Sequence, residues 1–201
     1  MLDIAAIVLA AGQSQRFGAD KLLHPLALHG ETLPLALHSL RPWLAVFGRV
    51  TLVVRPQSDA LRLAVSKAFG DAILWVECPD ASQGMGHSLA AGVAANADAA
   101  GWLIGLADMP TLQVEPIASV QVAIKVGAPL AAPYYNGKRG HPIGFSKIYQ
   151  DDLLALRGDS GGRELLQRDA ALIHRSEVAD TGIFTDIDHR ADLQAITGES
   201  Q

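Results

Sequence analysis

Cysteine is almost absent from this chain of 201 residues, which contains only Cys78. A single cysteine excludes an internal disulfide and a cysteine-based metal cluster, and it is typical of a reducing compartment. Long apolar runs are missing too, because no segment approaches the roughly 18 uninterrupted apolar residues of a membrane span. Only Met1 and Leu2 precede an acidic residue, Asp3, and an apolar segment, with no room for a signal peptide. We therefore expect a cytoplasmic protein without a membrane segment.

Basic residues are also scarce, with 16 lysines and arginines against 21 aspartates and glutamates, for a net charge of -5. Nucleic-acid binding needs a basic face, so the charge argues against a nucleic-acid partner. A nucleoside triphosphate carries about four negative charges. An acidic protein that binds one must do so through local cations, backbone amides or a metal ion.

Several well-known catalytic patterns are absent. The sequence has no GxxxxGK[ST] phosphate loop and no GxGxxG dinucleotide fingerprint. It has no Ser/His/Asp set, no paired catalytic carboxylates and no zinc motif, so hydrolysis by a protein nucleophile is poorly supported. A phosphate monoester needs no general base, because its oxygen is already anionic at neutral pH. Phosphorus chemistry of that kind depends mostly on positioning and charge neutralisation.

Short apolar, β-branched runs alternate with longer segments of helical period, which predicts one globular α/β domain with a parallel sheet. The predicted core strands cover residues 4–9, 50–54, 73–76 and 102–106. The predicted helices cover residues 33–40, 59–69, 84–96, 115–126, 146–156, 162–168 and 189–196. Pro42 should end or bend the first helix, because it lacks a helical donor. Residues 129–145, rich in proline and glycine, are predicted to form a β insertion over a site.

The most informative segment is residues 9–21, LAAGQSQRFGADK, which directly follows the first predicted strand. Its small residues allow a ligand to approach the backbone closely, and Arg16 and Lys21 add positive charge. Ligands in open α/β sheets bind beyond the carboxyl ends of strands. The segment therefore predicts a polyphosphate-binding loop, the alternative being an ordinary connection with surface cations.

Two aspartate segments suggest a metal site. Asp108 follows the apolar run 101–106 and precedes Met-Pro, so it should lie rigidly at the ligand-binding edge. A carboxylate there suits Mg²⁺, which prefers oxygen ligands shared with phosphates, although a turn or helix-capping aspartate is equally compatible. Asp186 and Asp188 alternate on an extended segment and should point the same way. We expect one of the two to reach the metal.

Three glycine-rich segments complete the candidate site. Residues 82–92, SQGMGHSLAAG, predict a helix start whose amides and Ser88 could contact an anion or a base. Residues 136–145, NGKRGHPIGF, bring Lys138, Arg139 and His141 together, and by residue type alone they form a basic hairpin tip in which the glycines permit the turn. Residues 158–163, GDSGGR, are explained by a loop and a helix cap.

Taken together, these motifs resemble the MobA-like NTP transferases, in family order and over most of the chain. The matching patterns are LAAGxSxRxG with a following lysine, [AD]DMP, GMGxSLAxG and an RGHP-type box. Within the family the chain is most similar to the molybdopterin cytidylyltransferases, because members with alanine at the position of Ala11 tend to use CTP. It departs from the family at His189 and Arg190, where the usual DxDTPxDL pattern has Thr-Pro.

The resemblance implies a three-layer, Rossmann-like fold of the nucleotide-diphospho-sugar transferase type, with a mostly parallel sheet and a small β excursion over the site. Residues 1–110 would form a nucleotide-binding half and residues 111–201 an acceptor-binding half. It assigns catalysis to Arg16 and Lys21. It assigns nucleotide binding to Leu9, Ala10, Ala11, Gly12, Ser14, Gln83, Gly84, Met85 and Ser88. It assigns metal binding to Asp108, Asp186 and Asp188, and acceptor binding to Arg139, Gly140, His141 and Pro142. Lys138, and Asp159 and Arg163 of a GDxGxR-like segment, are further candidates for contact with the acceptor.

The implied activity is transfer of CMP from CTP to the phosphate of molybdopterin, with Mg²⁺ or Mn²⁺ as cofactor and pyrophosphate as by-product. Transient contact with a molybdoenzyme or its chaperone is implied as well. Three alternatives stay open. The nucleotide could be GTP, the acceptor could be a sugar or polyol phosphate, or the chain could be a nucleotide-sensing cofactor-maturation chaperone without catalysis.

Overall fold

The structure, a computed structural model, describes residues 3–14, 16–159 and 161–197; Met1, Gln15 and Ser160 fall outside these ranges. Strands β1 to β10 are Ile4–Leu9, Pro25–Leu28, Glu31–Pro34, Val50–Val54, Ile73–Glu77, Gly101–Leu106, Leu130–Tyr135, Lys138–Arg139, Ile143–Ser146 and Ile173–Glu177. Helices α1 to α7 are Leu35–Phe47, Asp59–Phe69, Met85–Ala94, Val114–Lys125, Gln150–Leu154, Arg163–Arg168 and Arg190–Thr197.

The central sheet has the strand order β10-β7-β9-β6-β1-β4-β5, with β8 paired to β7. Strands β5, β4, β1 and β6 run parallel, and β9 runs antiparallel between β6 and β7. Strand β10 is parallel to β7, so the sheet is mostly parallel. The carboxyl ends of β1 and β6 meet at one edge, where Leu9 pairs with Leu106. That edge is where ligands bind in open α/β sheets.

Helices cover both faces of this sheet. Alternate residues of β1 separate the two cores, with Ala6 and Val8 on one face and Ile7 and Leu9 on the other. The first face is covered by α1, α2 and α4, and the second by α3, α5 and α6. A strand buried on both faces is continuously apolar, as β1 is. The predicted three-layer α/β fold is confirmed.

The four predicted core strands are found within one residue of their expected bounds, whereas several other elements differ. The hairpin of β2 and β3 occupies residues 25–34, so α1 begins at Leu35 instead of residue 33. Strand β10 was not predicted, because the polar residues His174, Arg175 and Ser176 interrupt its apolar pattern. The predicted helix over 146–156 is shortened to α5, since Ser146 ends β9 and residues 147–149 form a 3-10 turn. Residues 130–146 do form β structure, but their strands β7 and β9 belong to the central sheet instead of forming a separate insertion.

Pro42, which is expected to end or bend the first helix, does not end it, because α1 continues to Phe47. Burial compensates for the missing donor. Trp43 and Leu40 are fully buried, and the Trp43 ring lies where a β-carbon on Gly105 would be only 2.0 Å from it. Tertiary packing of this kind overrides a local helix-breaking tendency.

None of the helices in the described ranges combines the length and apolar character needed to cross a membrane.

Candidate active site

A cavity of about 500 Å³, here called cavity 1, opens at the carboxyl edge of β1 and β6. Its walls come from the loop after β1, the start of α3, the end of β6 and the segment before α7. The lining residues are Leu9, Ala10, Ala11, Gly12, Gln13, Ser14, Arg16, Lys21, Leu22, Ala81, Ser82, Gly84, Met85, Ser88, Leu106, Asp108, Asp159, Asp186 and Asp188. The fold therefore gathers around one cavity four motifs that are far apart in the sequence.

The loop after β1 is folded into a turn and anchored by Phe17. The Ser14 carbonyl oxygen accepts hydrogen bonds from the backbone N–H groups of Phe17 and Gly18, at 3.1 and 3.2 Å. The Phe17 side chain is buried, with 2% of its surface exposed, among otherwise small and polar loop residues. A β-carbon on Gly12 would meet no protein atom within 4 Å. The cavity side of this loop is thus open to a ligand.

Lys21 is the electrostatic centre of cavity 1. Its ammonium donates to Asp108 Oδ2 at 2.6 Å, to the Ile187 carbonyl oxygen at 2.6 Å and to Asp188 Oδ1 at 3.4 Å. Burial alone would lower the pKa of Lys21, but Asp108 and Asp188 outweigh it and hold the pKa above its ordinary value. Lys21 is therefore protonated at neutral pH and joins three separate segments. Arg16, whose side chain is 72% exposed, reaches Asp188 Oδ2 at 3.1 Å.

Asp108 has one oxygen bound and one without a partner. Oδ2 accepts from Lys21, whereas Oδ1 is buried and has no hydrogen bond. Burial raises the pKa of the Asp108 carboxyl above its ordinary value, although the positive charge of Lys21 opposes the shift. An unpartnered buried carboxylate oxygen is costly for a protein and is a suitable ligand for a hard divalent cation. Asp108 thus fits the predicted metal-binding role.

The two C-terminal aspartates lie near Asp108 but in different surroundings. Asp186 is exposed and faces cavity 1, whereas both oxygens of Asp188 accept from Arg16 and Lys21. Ile187 between them is buried, and its N–H donates to the Asp108 carbonyl oxygen at 3.0 Å. Within the described ranges no three metal-ligating side chains form a ready-made cluster. Oxygens of water or of a bound phosphate would complete the coordination of a cation here.

Residues 189–190, where the sequence departs from the usual pattern, lie at the start of α7. Asp192 Oδ2 accepts from the N–H groups of Asp188 and His189, at 2.8 and 2.6 Å, so it holds the turn before α7. The Arg190 guanidinium lies 5.3 Å from the centre of the Phe17 ring. Arg190 therefore connects α7 to the loop after β1.

The start of α3 forms another wall of cavity 1, through Gly84, Met85 and Ser88. Gly84 has φ +124°, and a β-carbon there would be 2.2 Å from the Gly158 carbonyl carbon. The glycine is required by this close chain crossing, a reason that its sequence context did not reveal. Gln83, also predicted to bind nucleotide, does not line the cavity and donates its side-chain amide to Asp80 at 2.7 Å.

A second cavity of about 390 Å³, cavity 2, adjoins cavity 1. Apolar side chains form much of its wall, and cations lie among them. The lining residues are Leu9, Met85, Leu89, Ile104, Leu106, Met109, Lys138, Arg139, Gly140, His141, Ile143, Phe145, Gly161, Gly162, Arg163, Leu166, Ile183, Phe184 and Asp186. Leu9, Met85, Leu106 and Asp186 line both cavities. The two spaces therefore share one wall.

The predicted acceptor residues mostly line cavity 2. Arg139, Gly140 and His141 do so, whereas Pro142 is buried and does not. A β-carbon on Gly140 would be 2.5 Å from Ile183, so close packing requires that glycine. Of the GDSGGR segment, Arg163 lines cavity 2 and Asp159 lines cavity 1.

His141 is held neutral in the wall of cavity 2. Burial lowers its pKa from 6.5 to about 4; Asp186 opposes this shift, and Arg139 adds to it. Its Nδ1 is buried without a hydrogen-bond partner. An uncharged imidazole with an unpartnered nitrogen is suited to a hydrogen bond with a bound ligand and is a weak base at neutral pH.

The fold and this site define a nucleotidyltransferase, with a small-residue loop, two cations and a partly unpartnered aspartate at the carboxyl edge of a parallel sheet. Residues 6–174 match the MobA-like NTP transferase domain, and the chain belongs to that family. It is 32% identical over 195 residues to the purine catabolism protein PucB of Bacillus subtilis strain 168, covering 92% of this chain and 91% of the relative.

Solved structures show the same fold at lower identity. Rv0371c from Mycobacterium tuberculosis H37Rv superposes with a TM-score of 0.81 at 23% identity over 98% of both chains. A structure of Rv0371c in complex with manganese is similar as well, with a TM-score of 0.77 at 22% identity, covering 98% of this chain and 100% of that one. CMP:2-keto-3-deoxy-manno-octonic acid synthetase complexed with CTP gives a TM-score of 0.74 at 15% identity, covering 98% and 97% of the two chains.

Proposed function

We propose that this protein transfers CMP from CTP to the terminal phosphate of molybdopterin and releases pyrophosphate. The observation that carries the proposal is the Asp108 carboxylate in the wall of cavity 1, whose Oδ2 is bound to Lys21 and whose Oδ1 has no partner. Cavity 1 is the site for the nucleotide and cavity 2 the site for the acceptor. On this view the nucleotide contacts come mainly from residues 1–110 and the acceptor contacts mainly from residues 111–201, within one cytoplasmic enzyme.

The triphosphate binds along the loop after β1. Backbone amides of residues 11–14 and the positive charges of Arg16 and Lys21 offset its negative charge in an otherwise acidic protein. Arg16 is the more available cation, because its exposed side chain makes only the Asp188 contact among those described. Lys21, already bound to three acceptors, fixes Asp108 and Asp188 relative to the loop.

Asp108 and Asp186 are the proposed ligands of a divalent cation, Mg²⁺ or Mn²⁺. Asp108 offers a free oxygen, and Asp186 is a carboxylate that faces both cavities. Such a cation, when bound, would neutralise phosphate charge and act as a Lewis acid. Asp188 is assigned instead to holding Arg16 and Lys21.

The acceptor phosphate attacks the α-phosphorus of CTP, and the bond between the α-phosphorus and the bridging oxygen breaks. The attacking oxygen is already anionic, so no side chain has to remove a proton. This agrees with His141, which has a pKa of about 4 and is therefore a weak base. Arg139 and Arg163 are placed to bind the acceptor phosphate, since both line cavity 2.

The character of cavity 2 favours a flat, bulky acceptor over a sugar phosphate. Among its described lining residues Asp186 is the sole carboxylate, and none has a side-chain amide. A sugar has many hydroxyl groups that need such partners. A fused heterocycle instead needs apolar surface and few directed hydrogen bonds, and His141 Nδ1 offers one of them.

The preference for CTP over GTP rests on Ala11, which is buried and lines cavity 1. Its methyl group occupies space that a glycine would leave open, which favours the smaller pyrimidine. Family likeness points the same way.

The test is to incubate the protein with Mg²⁺, molybdopterin and each of the four nucleoside triphosphates, and to measure pyrophosphate. Selective release with CTP is the expected result. Release with GTP alone would identify a guanylyltransferase, and activity with a panel of sugar or polyol phosphates but not molybdopterin would replace the acceptor. CTP binding without pyrophosphate release from any acceptor would indicate a nucleotide sensor.

An Ala11→Gly variant tests the base preference separately. We expect its ratio of kcat/KM for GTP to that for CTP to rise by roughly fivefold or more, because a methyl-sized contact is worth about 1 kcal/mol. An unchanged ratio would remove Ala11 as the basis for the choice of CTP.

A further inference from the structure

Arg55 belongs to none of the motifs above, yet it contacts both ends of the loop after β1. It is the first residue after β4, and its Nη1 donates to the Gly12 carbonyl oxygen at 2.7 Å. Its Nη2 lies 3.7 Å from Asp20 Oδ2. One guanidinium therefore bridges the residue near the start of the loop and the residue immediately before Lys21.

Asp20, which Arg55 contacts, also positions the backbone of Lys21. Its other oxygen, Oδ1, accepts from the Leu22 N–H at 3.3 Å and so caps the short helical turn Lys21–Leu23. The Lys21 N–H in turn approaches Ser14 Oγ at 3.4 Å. The position of the Lys21 backbone is thus set by Asp20 on one side and by the loop on the other.

The end of β4, from which the Arg55 side chain extends to the loop, is held in place by strand pairing and burial. The N–H of Ala10 donates to the Val53 carbonyl oxygen at 2.8 Å, which fixes the end of β1 against β4. Val54, directly before Arg55, is fully buried. Arg55 itself does not line cavity 1, so it touches the loop and not the space that the loop encloses.

We propose that Arg55 is a positioning residue for the nucleoside triphosphate, acting by fixing the distance between Gly12 and Asp20. The proposal rests on the proposed binding of the triphosphate at this loop. A guanidinium suits the role because its fork of donors serves two acceptors at once, which a lysine ammonium on a flexible stem does less well. Without Arg55 the loop samples more conformations, and the ligand has to order it on binding.

Arg62 supplies a matched control. Its side chain is 29% exposed and that of Arg55 is 32% exposed, and Arg62 also makes an ion pair, with Glu77 at 3.1 Å. It packs over the Trp75 ring at 5.1 Å and lines neither cavity. Replacing either arginine by methionine removes a charge and one ion pair, but only Arg55→Met frees the loop.

The experiment measures the Kd for CTP with Mg²⁺ by calorimetry, together with hydrogen exchange of the amides of residues 12–20 in the protein without nucleotide. We expect Arg55→Met to weaken CTP binding roughly tenfold and to accelerate loop exchange, while the thermal midpoint changes about as much as in Arg62→Met. Arg55→Lys should recover part of the CTP affinity and part of the protection of the loop amides from exchange. If Arg55→Met matches Arg62→Met in exchange and affinity, the positioning role is wrong.

A double-mutant cycle of Arg55→Met with Asp20→Asn tests whether Arg55 affects CTP binding through Asp20. If Arg55 acts partly through Asp20, the combined variant loses less CTP affinity than the sum of the two single losses. Strict additivity would exclude that route. The exchange measurement needs no nucleotide, so it tests whether Arg55 restrains the loop even if the wild-type protein binds no CTP. Failure of the wild-type protein to bind CTP would overturn the proposed function and would leave the restraint of the loop by Arg55 intact.

Discussion

Lys21 Nζ lies 2.6 Å from Asp108 Oδ2, while Oδ1 of the same carboxylate is buried without a partner. The lysine thus orients the aspartate and leaves its second oxygen for something else. Since the two residues are 87 positions apart, their contact also joins the loop after β1 to the end of β6. In the proposed function, chemistry and local stability therefore depend on the same pair.

Replacing Asp108 by asparagine should lower kcat/KM by roughly 100-fold or more, because an amide is a much weaker ligand for a divalent cation. The shape of the side chain is kept, so circular dichroism should show a folded protein. Pyrophosphate release measured over a range of Mg²⁺ concentrations checks this. Wild-type turnover in Asp108→Asn would contradict the metal-binding role.

Replacing Lys21 by methionine should affect both turnover and stability. The ammonium is buried among two carboxylates and a carbonyl, and removing one partner of such a group leaves unpaired charge. We expect a loss of about 2–4 kcal/mol in the free energy of unfolding by urea, with turnover reduced at least 100-fold. Lys67→Met, at an exposed position of α2, is the control and should change neither.

Asp186→Asn and Asp188→Asn should change different kinetic parameters. If Asp186 is the second metal ligand, its variant needs more Mg²⁺ for half-maximal activity and unfolds like the wild type. Asp188→Asn loses the partner of Arg16 and Lys21 and should raise KM for the nucleotide instead. The reverse pattern would exchange the two roles.

Gly84→Ala and Gly127→Ala distinguish the cost in stability of a steric clash from the cost of backbone strain. Both glycines have positive φ, +124° and +104°, but only a β-carbon on Gly84 meets other atoms, at 2.2 Å from Gly158. We expect Gly127→Ala to cost about 1–2 kcal/mol and Gly84→Ala roughly 3 kcal/mol or more. Equal unfolding midpoints for the two variants would show that the crossing of α3 and residues 157–159 is looser than described.

His141 should make the stability of the protein depend on pH. Its folded-state pKa is about 4 and its ordinary value 6.5, so the unfolded chain binds the extra proton between these pH values. The free energy of unfolding should therefore rise with pH across that window, by up to about 3 kcal/mol from this group. Urea unfolding of the wild type and His141→Gln from pH 4 to 7 should give a difference with this slope, and parallel curves would exclude it.

The fold was largely predictable because the core strands are apolar on both faces. Strand β1 pairs on both sides and is buried on both, so its whole length is apolar and its bounds were predicted correctly. Strand β10 lies at the sheet edge, and its exposed His174 and Arg175 conceal the strand pattern. Helix α1 shows the opposite failure, because burial of Trp43 outweighs a local signal at Pro42.

The candidate site was predictable in its motifs but not in its connections. Lys21, Asp108 and Asp188 stood out separately, yet no sequence spacing reveals that one ammonium bridges all three segments. Phe17 could have been noticed as the one large apolar residue in the loop. Arg55 gave no signal, because an arginine after a strand is unremarkable until the fold places it beside Gly12.

The wall that the two cavities share has a kinetic consequence. Asp186 and Met85 border both spaces, so the proposed assignment puts a nucleotide in cavity 1 and an acceptor in cavity 2 at the same time, facing each other directly. Nothing in such an arrangement requires the nucleotidyl group to rest on the protein between two half-reactions. Initial rates at several fixed acceptor concentrations should therefore give intersecting double-reciprocal lines, as in a ternary-complex mechanism, and not the parallel lines of a substituted enzyme.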